Sequence, residues 1–269
     1  KQYFDMAEKI GQSALAVTDH GNVSAHYKWY KEGLKRNIKP ILGCEMYVVE
    51  DIEKDALKRE YSHITILAIN NKGYENLLFL VTRAWQKWFY YKPRIDYKHL
   101  QQYKEGLIFT TGCLSSATGN AFKRTGLVQE ELERQKKMFG NQLYAEVQPL
   151  TFKDGNEYIT AIYKAAQKLN VPLVATMDCH YPEQSQSKVQ EIMLCIQSND
   201  QMSNPKRWKF DQDDFYLKSR AEMEQSFKVS HPKLDFTEAF DNTIKIAEMV
   251  NFKFPEAHPL KFPISNKEK

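Results

Sequence analysis

The sequence predicts an α/β fold in which strands alternate with helices around a barrel. Six short apolar runs recur along the chain, at 15–17, 40–49, 63–69, 106–111, 142–147 and 171–177. Most are nearly continuous rather than alternating, which suits strands buried on both faces of a parallel sheet. Helical periods lie between them, and strand–helix alternation implies βαβ units and a mostly parallel sheet. The length, 269 residues, fits one large barrel or two ordinary domains.

Taken in order, the elements open with a helical period over Phe4, Ala7 and Ile10, ahead of the first run. Val23, Tyr27, Tyr30 and Leu34 step by four, three and four. Leu77, Leu80, Val81, Ala84 and Trp88 form the next stripe. Ile159, Ile162, Tyr163, Ala166 and Leu169 form a clear one, and Val189, Ile192, Met193 and Ile196 another. Two segments break the rhythm. Residues 85–106, aromatic and basic, read as an excursion plus a short helix. Residues 198–219 read as a loop followed by a short strand. The chain divides into a barrel domain over 1–250 and a Pro-containing linker over 251–269, with Pro255, Pro259 and Pro263. Six strands after a start inside a helix suggest a barrel lacking its first strand. The absence of an initiator Met suggests a chain that starts within a longer protein.

Composition narrows the class. Hydrophobic residues at 42%, with 11 Gly and 10 Pro, exclude disorder and collagen-like repeats. No 18-residue apolar run is present, so no spanning helix and no membrane partner is expected. The first residues carry no basic-then-apolar signal architecture. A net charge of +4 permits a nucleic-acid partner without requiring one. Cys44, Cys113, Cys179 and Cys195 form no CxxC pair, which argues against a disulfide framework and fits a reducing cytoplasm.

In a parallel barrel, functional residues sit at the C-terminal ends of the strands. Here those positions hold Thr18-Asp19-His20-Gly21, Glu45 within its run, Gly112-Cys113, Glu146 and Asp178-Cys179-His180. His63 is off-pattern, because it begins its run. A lone Asp-His-Gly is an ordinary turn, and a lone buried Glu is ordinarily salt-bridged. The combination is more informative. Asp178 and His180 alternate along an extended segment, so both can face one pocket. With His20, Glu45, His63 and Cys113 they form a mixed nitrogen, oxygen and sulfur set that suits zinc, manganese or iron. Asp19 reads as a turn residue or as a carboxylate orienting His20. His26, His99, His231 and His258 read as structural or solvated.

The stretch LAVTDHGNVSAHYKWYKEGLKRNIKPILGCEMYV resembles the second and third metal-binding motifs of the PHP (polymerase and histidinol phosphatase) domain. More narrowly, it resembles the PHP domain at the N-terminus of the alpha subunit of bacterial C-family replicative polymerases. The likeness continues through HITILAINNKGYENLLFLVTRAW, GLIFTTGCLSSATG, ATMDCHYPEQSQSKVQEIMLCIQSND and RWKFDQDDFYLKSRAEM, and so covers nearly the whole chain. It implies a distorted (β/α)7 barrel of PHP type. It places metal ligands at His20, Glu45, His63, Cys113, Asp178 and His180, with His20, Glu45, Asp178 and His180 as the catalytic set. It implies a cluster of up to three divalent ions, of zinc, manganese or magnesium. The family's opening His-x-His strand and the Asp shortly after it, which together supply three further ligands, have no counterpart here. CLSS and Met177 stand where CLSG and an Asn are usual.

The implied activity is 3′–5′ exonuclease or phosphoesterase chemistry inside a DNA-directed DNA polymerase, a nucleotidyltransferase whose palm domain lies outside this chain. The implied partners are primer-template DNA, the other polymerase domains, the sliding clamp and other replisome subunits. Lys92, Arg94, Lys206 and Arg207 are candidate nucleic-acid contacts, together with the aromatic residues around them, such as Trp85, Trp88 and Trp208. Two other readings compete: a PHP scaffold that supports the polymerase without catalysis, and a stand-alone histidinol-phosphatase-like enzyme. The RWKF…FYLKS segment disfavours the second.

Overall fold

A computed structural model describes residues 1–255. Helix α1 (Gln2–Lys9) buries Phe4 and Ala7, one face of its predicted stripe. Strand β1 (Ala14–Val17) follows, then α2 (His26–Lys35), and then the long strand β2 (Lys39–Val49), almost continuously buried. Strand β3 (Ser62–Ala68) leads into α3 (Asn71–Gln86). The Asn70 side chain caps α3 by accepting from Gly73 N at 2.8 Å, and Leu77, Leu80, Val81 and Ala84 turn inward as their spacing requires. The aromatic excursion is a small hairpin, β4 (Phe89–Tyr90) with β5 (Lys92–Asp96), followed by the short helix α4 (Tyr97–Gln102).

Strand β6 (Leu107–Thr110) precedes α5 (Ala117–Thr125) and α6 (Gln129–Phe139), two helices beyond the stripes named above. Strand β7 (Leu143–Val147), α7 (Lys153–Leu169) and β8 (Leu173–Ala175) form a βαβ unit. Helices α8 (Ser187–Ser198), α9 (Arg220–Ser230) and α10 (Thr237–Met249) complete the described chain.

The sheet runs β4-β5-β2-β3-β6-β7-β8, with β1 paired to the start of β2. It curls into a distorted (β/α)7 barrel whose wall is open between β1 and β8. Those two strands face one cavity of about 710 Å³ without pairing, and Thr243, Ile244 and Ala247 of α10 border the gap. The expectation of a mostly parallel sheet needs one correction: β3 is antiparallel to both β2 and β6. Its N-terminal end therefore lies at the rim where its neighbours end. That reversal explains why His63 begins its run while the other polar residues close theirs.

Two other expectations change. The Val189, Ile192, Met193 and Ile196 stripe of α8 faces outward, because the helix packs through Leu194 and Cys195 and anchors the following loop by its Glu191–Arg207 ion pair. The short strand expected near 215 reduces to a single bridge between Tyr181 and Tyr216. Residues 251–254, expected to begin a linker, pack on the barrel instead. Asn251 N donates to Ile69 O at 2.7 Å, Phe252 lies 4.5 Å from Tyr74, and Phe254 lies 4.9 Å from Tyr30. Pro259, Pro263 and His258 fall outside the described residues, as does most of the expected linker. Among the described residues no helix is long and apolar enough to cross a membrane.

Candidate metal centre

His20 stands on the turn after β1, and that turn is laced to β2. Gly21 N donates to Glu45 O at 2.8 Å, Glu45 N donates to Asp19 O at 3.2 Å, and the Cys44 thiol points to the same Asp19 carbonyl at 3.3 Å. Asp19 thus serves the turn through its main chain. Gly21 is required here: its φ is +62°, and a Cβ would stand 2.7 Å from Pro93 Cγ and 3.0 Å from the Tyr47 ring. The lacing sets His20 beside Glu45. On the adjacent strand His63 pairs with Tyr47 in register, which puts it diagonal to Glu45 on the same face.

The side chains converge. His63 Nδ1 lies 2.7 Å from Glu45 Oε1, and His20 Nε2 lies 3.6 Å from Glu45 Oε2. One donor atom from each of the three residues lies within 4.8 Å of the others. His63 Nδ1 is buried and finds no hydrogen-bond partner among the described residues, despite its closeness to the carboxylate. The two groups are near but not angled for a hydrogen bond, as two donors sharing a third centre are. An unpaired buried polar atom is costly, and a cation in this mixed set would satisfy it. Stacked tyrosines fix both rings: Tyr47 lies 5.7 Å from His20 and Tyr61 lies 5.7 Å from His63. Burial lowers the pKa of His20, helped by His63 and opposed by Glu45, so its lone pair is free near neutral pH.

Cys113, Asp178 and His180 line the same cavity as His20 and Glu45 but do not join that tight triad. Cys113 follows β6 through Gly112, whose φ is +76°. Burial, then the charges of Asp178 and Glu45, push its thiol well above the usual range, so only a nearby cation would favour the thiolate. Asp178 sits past β8 with a φ of +48°, a left-handed conformation that costs a non-Gly residue. Its carboxylate lies 3.4 Å from His180 Nε2. Burial opposes the charged form of each partner. The ion pair outweighs it, lowering Asp178 and raising His180. Phe210 packs 4.7 Å from the His180 ring, and His180 N donates to Phe215 O at 2.9 Å.

Glu146 lies deeper, at the end of β7. It accepts from the Thr110 and Thr176 hydroxyls and from Gln148 Nε2, and burial raises its pKa. Its role as the tie between three strand ends could be sought in the sequence only through the threonines that close β6 and follow β8. The aromatic partners Tyr47, Tyr61 and Phe210 were not singled out by motif.

The candidate nucleic-acid residues divide. Lys92 Nζ lies 5.2 Å over the Tyr47 ring, close to His20, and Lys206 is exposed. Arg94 is buried, and its guanidinium donates to the carbonyls of Asp55, Ala56 and Lys58 at 2.7–2.9 Å. It holds the 51–58 loop and is closed to a phosphate. Arg207 is engaged by Glu191 and by Asn204 O. Both arginines are therefore corrected from DNA contacts to loop anchors. His26 bonds Gly43 O and the Tyr74 hydroxyl, His99 bonds Asp96, and His231 bonds Ser230 and Asn156 O, so these three are structural.

A family model described as PHP domain matches residues 1–150. The chain is 36% identical over 261 residues to DNA polymerase III subunit alpha of Treponema pallidum, covering 94% of this chain and 22% of that protein. It is 37% identical to the Borreliella burgdorferi subunit over 90% of this chain and 21% of that one, and 34% identical to that of Thermus aquaticus over 90% and 20%. The chain thus spans about a fifth of the length of the curated relatives it matches. A solved structure from Bifidobacterium adolescentis, assigned as a metal-dependent phosphoesterase, covers 84% of this chain and 88% of that one. Its TM-score is 0.45 at 9% identity, too distant to carry an argument.

Proposed function

This chain belongs to the PHP domain family, and on that premise we propose that its strand-end cluster is a metal-dependent phosphodiester-cleaving site, a 3′–5′ exonuclease within a DNA polymerase III alpha subunit. The convergence of His20, Glu45 and His63 on one point carries this reading. Support comes from the relatives, which are replicative polymerase subunits and imply DNA and further polymerase domains in one polypeptide.

His20, Glu45 and His63 would hold one divalent ion, of zinc, manganese or magnesium. Cys113, Asp178 and His180 stand ready for others. Such an ion supplies Lewis-acid charge for a phosphoryl oxygen and for the attacking water. The chain's own residues prepare the site. Glu45 sets one carboxylate oxygen beside each imidazole, and Tyr47 and Tyr61 hold the rings in place. Asp178 favours the charged form of His180, so a cation at Nε2 would have to displace that proton. Lys92 and Lys206 are placed for phosphate contacts. The proposed setting is the bacterial cytoplasm, on primer-template DNA beside the sliding clamp and other replisome subunits.

The test uses the full-length polypeptide loaded with manganese and a single-stranded oligonucleotide labelled at its 5′ end. Asp178→Asn and His180→Ala should each slow 3′–5′ degradation by roughly 10²–10³-fold while primed synthesis continues. Degradation unchanged in both variants overturns the reading. Metal-dependent thermal stability without any degradation by the wild type would favour the scaffold.

A further inference from the structure

We infer that the 206–210 loop is a base-stacking platform, with Trp208 as its outer face, that holds a nucleobase of single-stranded DNA beside the metal centre. The inference rests on the nuclease reading and names what would recognise its substrate. Trp208 is 55% exposed. An indole left in water forgoes on the order of 2 kcal/mol of burial, and loops commonly expose one because they are loose. This loop is tethered. Arg207 donates to Asn204 O at 3.0 Å and to Glu191 of α8 at 3.1 Å. Asn204 in turn donates to Asp200 at 2.9 Å and accepts from Lys206 N at 2.9 Å. The indole is therefore presented by a fixed backbone.

Its position is equally specific. Trp208 stands edge-on to Phe210 with ring centres 5.8 Å apart, and Phe210 lies 4.7 Å from the His180 ring and 5.0 Å from Phe215. Two ring contacts separate the exposed indole from His180, a span of one to three nucleotides at roughly 3.4 Å per stacked base. Lys206 and Lys209 flank it and are exposed. On the His20 side, Lys92 offers a further cation, lying over a Tyr47 ring that is itself buried. Aromatic faces with cations between them bind single strands with little base preference. A small phosphate ester has no base to stack, so this surface distinguishes nucleotide chains from such esters.

The full-length polypeptide is irradiated with an oligodeoxynucleotide carrying 5-iododeoxyuridine at its 3′ end, phosphorothioate-linked to resist cleavage, and adducts are mapped by mass spectrometry. The adduct is expected on the peptide containing Trp208, lost in Trp208→Ala and kept in Trp208→Phe. The KM for a cleavable oligonucleotide should rise about tenfold in Trp208→Ala, with manganese stoichiometry and Tm unchanged. Adducts confined to other segments, with KM unchanged in Trp208→Ala, overturn the platform even if degradation is robust. A fall in manganese stoichiometry also overturns it, by making Trp208 a structural prop of the centre. The adduct without any degradation by the wild type leaves the platform standing and removes the nuclease reading.

Discussion

Glu45 and His63 are tied by the pairing of β2 with β3, and His20 by a main-chain bridge that laces the turn after β1 to Glu45, whereas Cys113, Asp178 and His180 stand on turns beyond β6 and β8 without such lacing to β2. The first set already converges within 4.8 Å. The second shares the cavity and is held by a strained Asp178, its close contact with His180 and packing from Phe210. Strand register fixes donor atoms cheaply, because the ladder hydrogen bonds exist anyway. Turn-borne ligands need separate supports, and each support is a point where the site can be loosened. A strand-held half should therefore bind metal as a preformed unit, and the turn-held half should depend on its props.

The largest effect that could break this contrast is at Glu45, the carboxylate shared by both histidines. Glu45→Gln should weaken divalent-metal binding by more than about 100-fold, since even supporting residues around a metal cost 10–100-fold. Equilibrium titration checks it. Next is Gly21→Ala, which forces a side chain into the Pro93 and Tyr47 contacts at a positive φ. It should cost on the order of 2 kcal/mol in urea unfolding and misplace His20. An unchanged midpoint would show that the lacing of the first half is not what holds it. His180→Ala should lower metal affinity by only about tenfold, because the triad remains.

The smallest effect sharpens the role of Glu146 beneath the turn-held half. Burial holds its carboxyl above the ordinary range. The stability it contributes is fully present below the ordinary carboxylate pKa and is lost as pH rises through the raised folded value. Glu146→Gln removes that loss. It should leave Tm unchanged in acid and raise it by about 2 °C above neutral pH, as read by calorimetry across pH. A lower Tm at every pH would mean that the Thr110 and Thr176 bonds outweigh the buried charge.

Much of this was legible in the sequence because strand-end position is a one-dimensional signal. The Asp-His-Gly turn, Cys113 and the Asp178–His180 pair fall where the strands end, and Glu45 stands out as a carboxylate inside an apolar run. Strand direction is not one-dimensional, so His63 looked misplaced until β3 proved antiparallel. Burial of a charged side chain is equally hidden. Arg94 and Lys92 sit two residues apart in one basic stretch, yet one is sealed by three carbonyls and the other rides over Tyr47. The stripes of α7 and α8 have the same spacing, but only that of α7 turns largely inward. Periodicity gives a helix its face and does not say what covers it.

The most direct measurement of the central claim is a calorimetric titration of the metal-stripped full-length polypeptide with manganese, wild type beside Glu45→Gln. The account requires a tight site in the wild type that disappears in Glu45→Gln while the Tm of the stripped protein is unchanged. Equal stoichiometry and affinity in the two proteins would contradict it.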